Sequence, residues 1–337
     1  MVYTASMQTS PLIDKFQRPI TYLRLSVTDR CDFRCLYCMA EDMEFLPRKD
    51  VLSLEELERL ARIFTELGVE KIRVTGGEPL IRKDVLKLFH GLGKLPALKN
   101  LCLTTNGSHL SQYANELVDA GVKRVNISID SLDKARFTRL TRFGKLDDVL
   151  AGIEAALHAG FEKIKLNSVL MRNFNVDEAS TLTRFALEKG MDISFIEEMP
   201  LGEIKSHARD AEHIRSDELR DILSAHFALT AVDESTGGPS RYWKVKGYSA
   251  KVGFISPHSD NFCASCNRVR VSASGRLLLC LGNEHSVDLR KILRENISDD
   301  SAVKEAIIAA MDIKPERHYF DLDSDPQILR FMNATGG

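Results

Sequence analysis

The residues of this chain best suited to chemistry are three cysteines in one short segment, Cys31, Cys35 and Cys38, spaced C-x3-C-x2-C. Thiolate is the soft ligand that iron–sulfur clusters require, and a cubane cluster contains four irons. Three ligands leave one iron open to a small molecule, so the spacing favours a reactive cluster over simple electron storage. A zinc knuckle is the alternative, but zinc normally takes four ligands, and no further Cys or His lies near this segment.

A second incomplete triplet lies near the carboxyl end of the chain, with the spacing C-x2-C-x13-C: Cys263, Cys266 and Cys280. A structural zinc site would explain such a motif in isolation. Two incomplete triplets in one chain favour a second cluster with an open position. Arg268 and Arg270 follow at alternate positions, so they share one face of a predicted strand beside this metal. Their guanidinium groups match the oxygens of a phosphate.

Composition and charge exclude several classes of protein. The chain has 337 residues, with 46 basic and 48 acidic residues and a net charge of −2, which gives no support for nonspecific nucleic-acid or membrane binding. No stretch approaches the roughly 20 apolar residues that span a bilayer, and the first residues lack the apolar segment of a secretory signal. We therefore expect a cytoplasmic protein with reduced thiols. The seventh cysteine, Cys102, lies in an apolar run and is expected to be a small buried hydrophobe.

Short strand-like runs alternate with helical patterns from about residue 20 to 200, and this repetition predicts a parallel sheet with right-handed crossovers. The predicted strands are 21–27, 70–75, 100–105, 123–130, 162–170 and 191–198. The predicted helices lie near 53–67, 82–93, 109–120, 146–159 and 176–189.

These strands alternate polar and apolar residues, whereas strands buried on both faces read as continuous apolar runs. The apolar set should face the helices, and the polar set should face a cavity that contains Arg24, Lys71, Arg73 and Lys165. A closed eight-stranded barrel fills its centre with apolar side chains. We therefore expect an open, partial barrel of six βα units around a large charged ligand. An ordinary two-layer sheet with a solvated face is the alternative.

The strand–helix pattern is lost over residues 200–240, where a helix near 216–227 and a turn at Gly237–Gly238–Pro239 precede a smaller appendage. A hairpin at 241–256, strands near 268–280 and helices near 287–296 and 300–311 follow. The predicted fold class is α/β, a partial (β/α)6 TIM-like barrel with a smaller C-terminal α+β cluster-binding domain. The predicted division is an N-terminal extension (1–20), the barrel (21–235), a C-terminal iron–sulfur domain (236–325) and a tail (326–337).

The first cysteine loop, with an aromatic residue before its last cysteine, and the GGEP segment after the second strand resemble the radical S-adenosylmethionine (SAM) enzymes. The resemblance implies a 4Fe–4S cluster whose open iron binds SAM and, once reduced, cleaves it to a 5′-deoxyadenosyl radical. It also implies that the SAM contacts lie at Tyr37, Gly76, Gly77, Glu78, Ser128 and Met199.

Over residues from about 20 onward the chain resembles a narrower family, the GTP 3′,8-cyclases of molybdenum-cofactor biosynthesis. It shares both cysteine spacings, GGEP, the TTNG segment at 104–107 and the terminal Gly336–Gly337. The resemblance implies a lyase with two 4Fe–4S clusters that converts GTP to (8S)-3′,8-cyclo-7,8-dihydroguanosine 5′-triphosphate. The second cluster would hold the guanine, Arg268 and Arg270 would also serve catalysis, and the tail would reach the active site. The implied GTP contacts are Arg24, Lys71, Arg73, Thr104, Lys165, Arg268, Val269 and Arg270.

Two positions depart from this family. Ser194 stands where a basic residue is frequent, so one phosphate contact is expected to be missing or replaced, and Thr335 stands where a bulkier apolar residue is common before the Gly-Gly tail. The implied partners are GTP, an electron donor and the cyclic pyranopterin monophosphate synthase that receives the product, and a homodimer is one possible assembly. The rival hypotheses are a peptide-modifying radical SAM enzyme with an electron-relay cluster and an iron–sulfur electron carrier.

Overall fold

A single sheet of 12 strands organises the chain in the computed structural model, which describes residues 11–204, 206–234, 237–318, 320 and 328–336. The spatial order is β12-β11-β10-β1-β2-β3-β4-β5-β6-β9-β8-β7. The strands are β1 (Tyr22–Ser26), β2 (Lys71–Thr75), β3 (Asn100–Thr105), β4 (Val122–Ser128), β5 (Lys163–Val169), β6 (Asp192–Ile196), β7 (Leu229–Val232), β8 (Arg241–Val245), β9 (Lys251–Ile255), β10 (Arg268–Val271), β11 (Arg276–Leu278) and β12 (Ser286–Asp288).

Strands β1 to β6 are neighbours in chain order and pair in parallel, as the six predicted βα units require. The helix predicted near 53–67 begins at a capping box, in which the Ser53 hydroxyl accepts from the Glu56 amide while the Glu56 carboxylate accepts from the Ser53 amide. The helices are α1 (Leu54–Glu66), α2 (Val85–Gly93), α3 (Leu110–Asp119), α4 (Lys134–Thr141), α5 (Leu146–Ala159), α6 (Ala179–Glu188), α7 (Arg209–Glu212), α8 (Ser216–Ser224), α9 (Leu289–Glu295), α10 (Ser301–Ala310) and α11 (Met332–Thr335).

The alternation along the strands separates the two faces of the sheet. Leu23 and Leu25 of β1 and Val74 of β2 are fully buried in the main hydrophobic core, which the helices share. Between them, Arg24 and Arg73 point into a cavity on the other face. The predicted partial barrel with a polar interior is confirmed. Of the helices in the described ranges, none combines the length and apolar character needed to cross a bilayer.

The C-terminal strands continue the barrel sheet at both of its edges instead of forming a sheet of their own. Strand β10 pairs in parallel with β1, and β9 pairs in parallel with β6. The predicted hairpin is confirmed as the antiparallel pair β8–β9, and β7, which has no strand prediction, adds to its outer edge. The predicted boundary at 235/236 falls on residues outside the described ranges, as does the one at 325/326, and the division into domains stays a prediction.

The described part of the predicted N-terminal extension, residues 11–20, packs against the C-terminal region through Arg18. Its guanidinium pairs with Asp14 at 2.6 Å and donates to the backbone carbonyls of Cys263, Pro315 and Glu316 at 2.8, 2.7 and 2.6 Å. This buried arginine therefore ties the start of the described chain to the segments that carry the second cysteine triplet.

Candidate active site

Both cysteine triplets line one cavity of about 300 Å³ inside the curved sheet. Its volume lies at the lower end of the range usual for small-molecule sites, roughly 300 to 1,000 Å³. Cys31 follows the carboxyl end of β1, whereas Cys266 precedes the amino end of β10. Because β1 and β10 are parallel neighbours, the two triplets lie at opposite ends of the strands. A ligand that contacts both must therefore lie along the strands between them.

Cationic side chains fill the part of the cavity between the two triplets. Strand register aligns five of these cations and one tyrosine in two rows across β10, β1 and β2: Arg268, Tyr22 and Lys71 form the first row, and Arg270, Arg24 and Arg73 form the second. Like charges on neighbouring strands repel each other. Burial lowers the pKa of Arg270 well below its ordinary value, and the charges of Arg24 and Arg268 lower it further. An anion in this cavity would offset that repulsion.

Tyr22 is a site residue that the sequence analysis missed. Arg73 Nε donates to its phenolic oxygen at 2.8 Å, and Lys71 Nζ lies 4.5 Å from the centre of its ring. Burial alone would raise the pKa of Tyr22, but the charges of Arg73, Arg24 and Lys71 outweigh burial and lower the pKa to about 7. The signal was available, because Tyr22 precedes Arg24 at the same two-residue period that identified the cavity face.

The first triplet offers three half-buried thiols to a cluster. Burial raises the pKa of Cys31, Cys35 and Cys38, so without metal these groups are protonated at neutral pH. Metal coordination removes such protons. The Cys31 sulfur accepts from the Phe33 amide at 3.4 Å and lies 3.8 Å from Asn106 Nδ2. Grouped thiols at a cavity wall, with hydrogen bonds to sulfur, fit an iron–sulfur cluster.

The second triplet has a charged neighbour that the sequence did not suggest. Lys314, whose exposure is only 1%, places Nζ 3.8 Å from the Cys266 sulfur. Burial would raise the pKa of Cys266, but the charges of Lys314 and Arg268 lower it to about 7. Across the described ranges, no three ligating side chains converge on a point suited to one metal ion. A cubane cluster does not need such convergence, because its ligands bind separate irons.

The glycines of GGEP let this segment pack against the backbone that enters the first cysteine loop. A Cβ on Gly76 would lie 2.8 Å from the Thr28 carbonyl oxygen, and one on Gly77 would clash with the Arg30 carbonyl. The Gly77 and Glu78 amides donate to these two carbonyls at 2.8 Å each. The glycines therefore position the segment beside the cysteine loop, where Gly76 and Gly77 also line the cavity.

The Glu78 side chain, one of the SAM contacts that the resemblance implies, is engaged by protein donors in this structure. The side chain has 0% exposure and does not line the cavity. It accepts from the amides of Leu80 and Asn106 at 2.9 and 2.6 Å and from the Thr105 hydroxyl at 2.8 Å. Glu78 therefore holds the TTNG segment against GGEP, and its contact with SAM stays a prediction.

Glu78 is expected to make stability depend on pH. Burial raises its pKa to about 7 from an ordinary 4.5. Between these values the folded carboxyl is protonated while the unfolded one is ionised, so its contribution to the free energy of unfolding falls as pH rises. Glutamine cannot ionise. The stability advantage of the wild type over Glu78→Gln should therefore shrink by about 3 kcal/mol between pH 4.5 and 7.5.

Urea unfolding of the two metal-free proteins at both pH values measures this difference, and stripping the metal matters because metal binding is itself pH-dependent. Parallel pH profiles for the wild type and Glu78→Gln would show that the carboxyl is already ionised in the fold.

The other residues predicted from the resemblance come together in the same cavity. Its lining includes Tyr37, Ser128, Met199, Thr104, Lys165 and Val269. The Tyr37 hydroxyl donates to Asp130 at 2.7 Å. Asn167 also lines the cavity, and its buried Oδ1 lacks a hydrogen-bond partner among the described residues. A bound ligand that donates a hydrogen bond to this oxygen would satisfy it, so the lining fits a polar small molecule.

Ser194, the departure from the resembled family, does not line the cavity. Its hydroxyl is fully buried and lies 2.9 Å from that of Ser240, which does line it. Position 194 therefore supplies no cation in this chain, and whether another residue replaces that phosphate contact stays a prediction.

The C-terminal tail packs beside the first triplet. The Met332 amide donates to the Cys38 carbonyl at 3.2 Å, and Asn333 Nδ2 donates to the Asp29 carbonyl at 2.9 Å. Thr335 is fully buried, and the Gly336 carbonyl accepts from Arg24 Nη2 at 3.0 Å. Gly337 lies outside the described residues. The tail therefore reaches a cation that lines the cavity.

Two family models cover most of the chain. The Radical SAM superfamily matches residues 25–186, and Molybdenum Cofactor Synthesis C matches residues 191–320. Among solved structures, SuiB of Streptococcus suis bound to its precursor peptide SuiA superposes with a TM-score of 0.62, covering 95% of this chain and 77% of SuiB. The sequences are 16% identical, so this likeness shows the fold alone.

Curated relatives are similar along nearly the whole chain. A protein of Saccharophagus degradans named GTP 3′,8-cyclase is 68% identical over 331 residues, spanning 98% of this chain and 100% of the relative. One of the same name from Marinobacter nauticus is 57% identical over the same shares of both chains. With this similarity and with two thiol triplets at the ends of a cationic cavity, the chain belongs to the GTP 3′,8-cyclase family of radical SAM enzymes.

Proposed function

We propose that this enzyme converts GTP to (8S)-3′,8-cyclo-7,8-dihydroguanosine 5′-triphosphate, the first step of molybdenum-cofactor biosynthesis. The observation that carries the proposal is the double row of cations between the two thiol triplets. A triphosphate is a compact polyanion, so it would offset the positive charges of these five side chains on neighbouring strands. The names of the relatives and the match to Molybdenum Cofactor Synthesis C support the same substrate and pathway.

The chain's own residues bind, orient and shield in this proposal. Cys31, Cys35 and Cys38 hold the first 4Fe–4S cluster, and the second triplet holds the other. When bound, the first cluster supplies the electron that cleaves SAM to a 5′-deoxyadenosyl radical. The arginine forks fix the triphosphate along β10, β1 and β2, which places the ribose between the two ends of the strands. The surrounding sheet limits access of water to the reacting atoms.

Several finer features belong to the same proposal. We place the enzyme in the cytoplasm, because thiol ligands stay reduced there. Each turnover begins with one-electron reduction, so an electron donor is required. The product is consumed by the cyclic pyranopterin monophosphate synthase, and a homodimer is one possible assembly.

The test is an anaerobic incubation of the reduced, reconstituted protein with SAM and each nucleoside triphosphate in turn. Formation of 5′-deoxyadenosine and of the cyclised nucleotide with GTP, but not with ATP, is the expected result. SAM cleavage at the same rate with and without GTP would favour a peptide-modifying radical SAM enzyme. The absence of SAM cleavage would favour an iron–sulfur electron carrier.

Arg268→Ala is expected to weaken GTP binding about 10- to 100-fold, because a charge-assisted hydrogen bond contributes about 1.5 to 3 kcal/mol. Arg268 lies in the first cationic row, with its guanidinium carbon 5.0 Å from the centre of the Phe262 ring. Equilibrium dialysis of GTP against the holoenzyme measures the change. Arg276→Ala is the matched control, because Arg276 lies on the adjacent strand but is exposed and bonds Ser286. Equal GTP affinity in both variants would count against the assigned triphosphate site.

A further inference from the structure

A group of aromatic rings forms one wall of the cavity at the end that carries the second triplet. His318 lies with its ring centre 4.3 Å from that of Phe320 and 6.3 Å from that of Phe262, and all three side chains line the cavity. Phe262 directly precedes Cys263. The group is therefore adjacent to the second triplet and remote from the first, which lies at the opposite end of the strands.

The imidazole of His318 has unused hydrogen-bonding capacity. Its exposure is 8%, yet neither Nδ1 nor Nε2 has a hydrogen-bond partner among the described residues. Leaving a buried polar group unsatisfied costs about 1 to 3 kcal/mol, so an orphaned ring facing a cavity points to a ligand. Gly282 packs closely behind it, since a Cβ there would lie 2.7 Å from the His318 Cβ. The ring is thus held in place from one side and faces the cavity on the other.

We propose that His318 is a base-recognition residue, whose ring N–H donates to an acceptor on the purine of the substrate. Imidazole carries at least one N–H donor in either protonation state. Guanine offers the acceptors N7 and O6, and its flat faces suit a wall of aromatic rings. The cationic rows lie beyond the wall, so a nucleotide with its base at His318 directs its phosphates toward them. This inference rests on the proposed function and names the side chain that reads the base.

Two variants and one control test the assignment on the reconstituted holoenzyme. His318→Phe keeps a ring of similar size without hydrogen bonds, and His318→Gln restores a donor. His226→Phe, at an exposed histidine, is the control. We expect His318→Phe to weaken GTP binding about tenfold, His318→Gln to recover most of it, and His226→Phe to change nothing. Binding of inorganic tripolyphosphate and the iron content per chain should be the same in all four proteins, the wild type included.

Three outcomes would overturn the inference. If His318→Phe bound GTP as tightly as the wild type, His318 would not contact the base. If His318→Phe also lost affinity for tripolyphosphate, His318 would be needed for the shape of the whole cavity. If the variant lost iron, His318 would be needed to hold the second cluster. These differ from failure of the proposed function, in which the wild type itself shows no GTP-dependent SAM cleavage.

Discussion

Replacing Cys31 with alanine is expected to reduce SAM cleavage to the background of a cluster-free sample. The variant leaves two thiols at the first triplet, and the structure shows no spare thiol to replace the third, because the other cysteines described lie in the second triplet or, as Cys102, in a separate buried position. Since a cubane cluster depends on cysteine ligands, the iron count should fall from about eight per chain to about four. Anaerobic iron and sulfide analysis and 5′-deoxyadenosine formation measure the two effects.

Cys102→Ala is the matched control for that variant. Cys102 is fully buried on β3 and does not line the cavity. The Cys102→Ala variant should therefore retain both clusters and SAM cleavage. Its removal should cost only about 1 kcal/mol of folding stability, the usual cost of a point substitution. SAM cleavage that survives in Cys31→Ala would show that the first triplet does not hold the reactive cluster.

The barrel was predictable because its signal is local. Each strand carries its own two-residue alternation, and that pattern distinguishes the helix-facing side from the cavity side without any long-range information. Arg24, Lys71, Arg73 and Lys165 were placed in one cavity by this reasoning, and the structure brings them together. The cysteine triplets were equally local, since ligand type and spacing carry the chemistry.

The features that could not be predicted from the sequence depend on contacts between distant parts of the chain. The parallel pairings β10–β1 and β9–β6 join segments separated by more than 50 residues, and no local pattern specifies a partner strand. Lys314 approaches Cys266 only through the folded C-terminal region. The three protein donors to the Glu78 carboxylate come from Leu80, Thr105 and Asn106, and only the fold shows that they converge on it.

The short helix α4 (Lys134–Thr141) also escaped prediction, for a different reason. Its sequence carries three basic residues and two threonines in eight positions, so its apolar stripe is brief. Phe137 and Leu140 are nonetheless buried, and the Asp133 side chain accepts from the Arg136 amide to begin the helix. Tertiary packing here compensates for weak helix propensity.

Adding a single methyl group at Gly336, in the C-terminal tail, should reduce activity without preventing folding. Gly336 has φ +81°, and a Cβ there would lie 2.6 Å from Thr75 Oγ1 and 3.0 Å from Ser26 Cβ. The left-handed backbone alone costs an alanine about 1 to 2 kcal/mol, and the contacts with β1 and β2 add to this. Gly336→Ala should therefore displace the end of the tail and break its hydrogen bond from Arg24.

We expect Gly336→Ala to lower GTP-dependent product formation at least tenfold while cluster content and thermal unfolding change little, since the displaced segment is terminal. Gly190→Ala separates backbone strain from the local contact. Gly190 has a similar φ of +72° at the end of α6, but a Cβ there meets nothing within 4 Å. The Gly190→Ala variant should therefore keep its turnover, although its left-handed backbone costs a comparable amount of folding free energy. Full turnover in Gly336→Ala would remove the tail from the mechanism, and equal losses in both variants would trace the effect to general destabilisation.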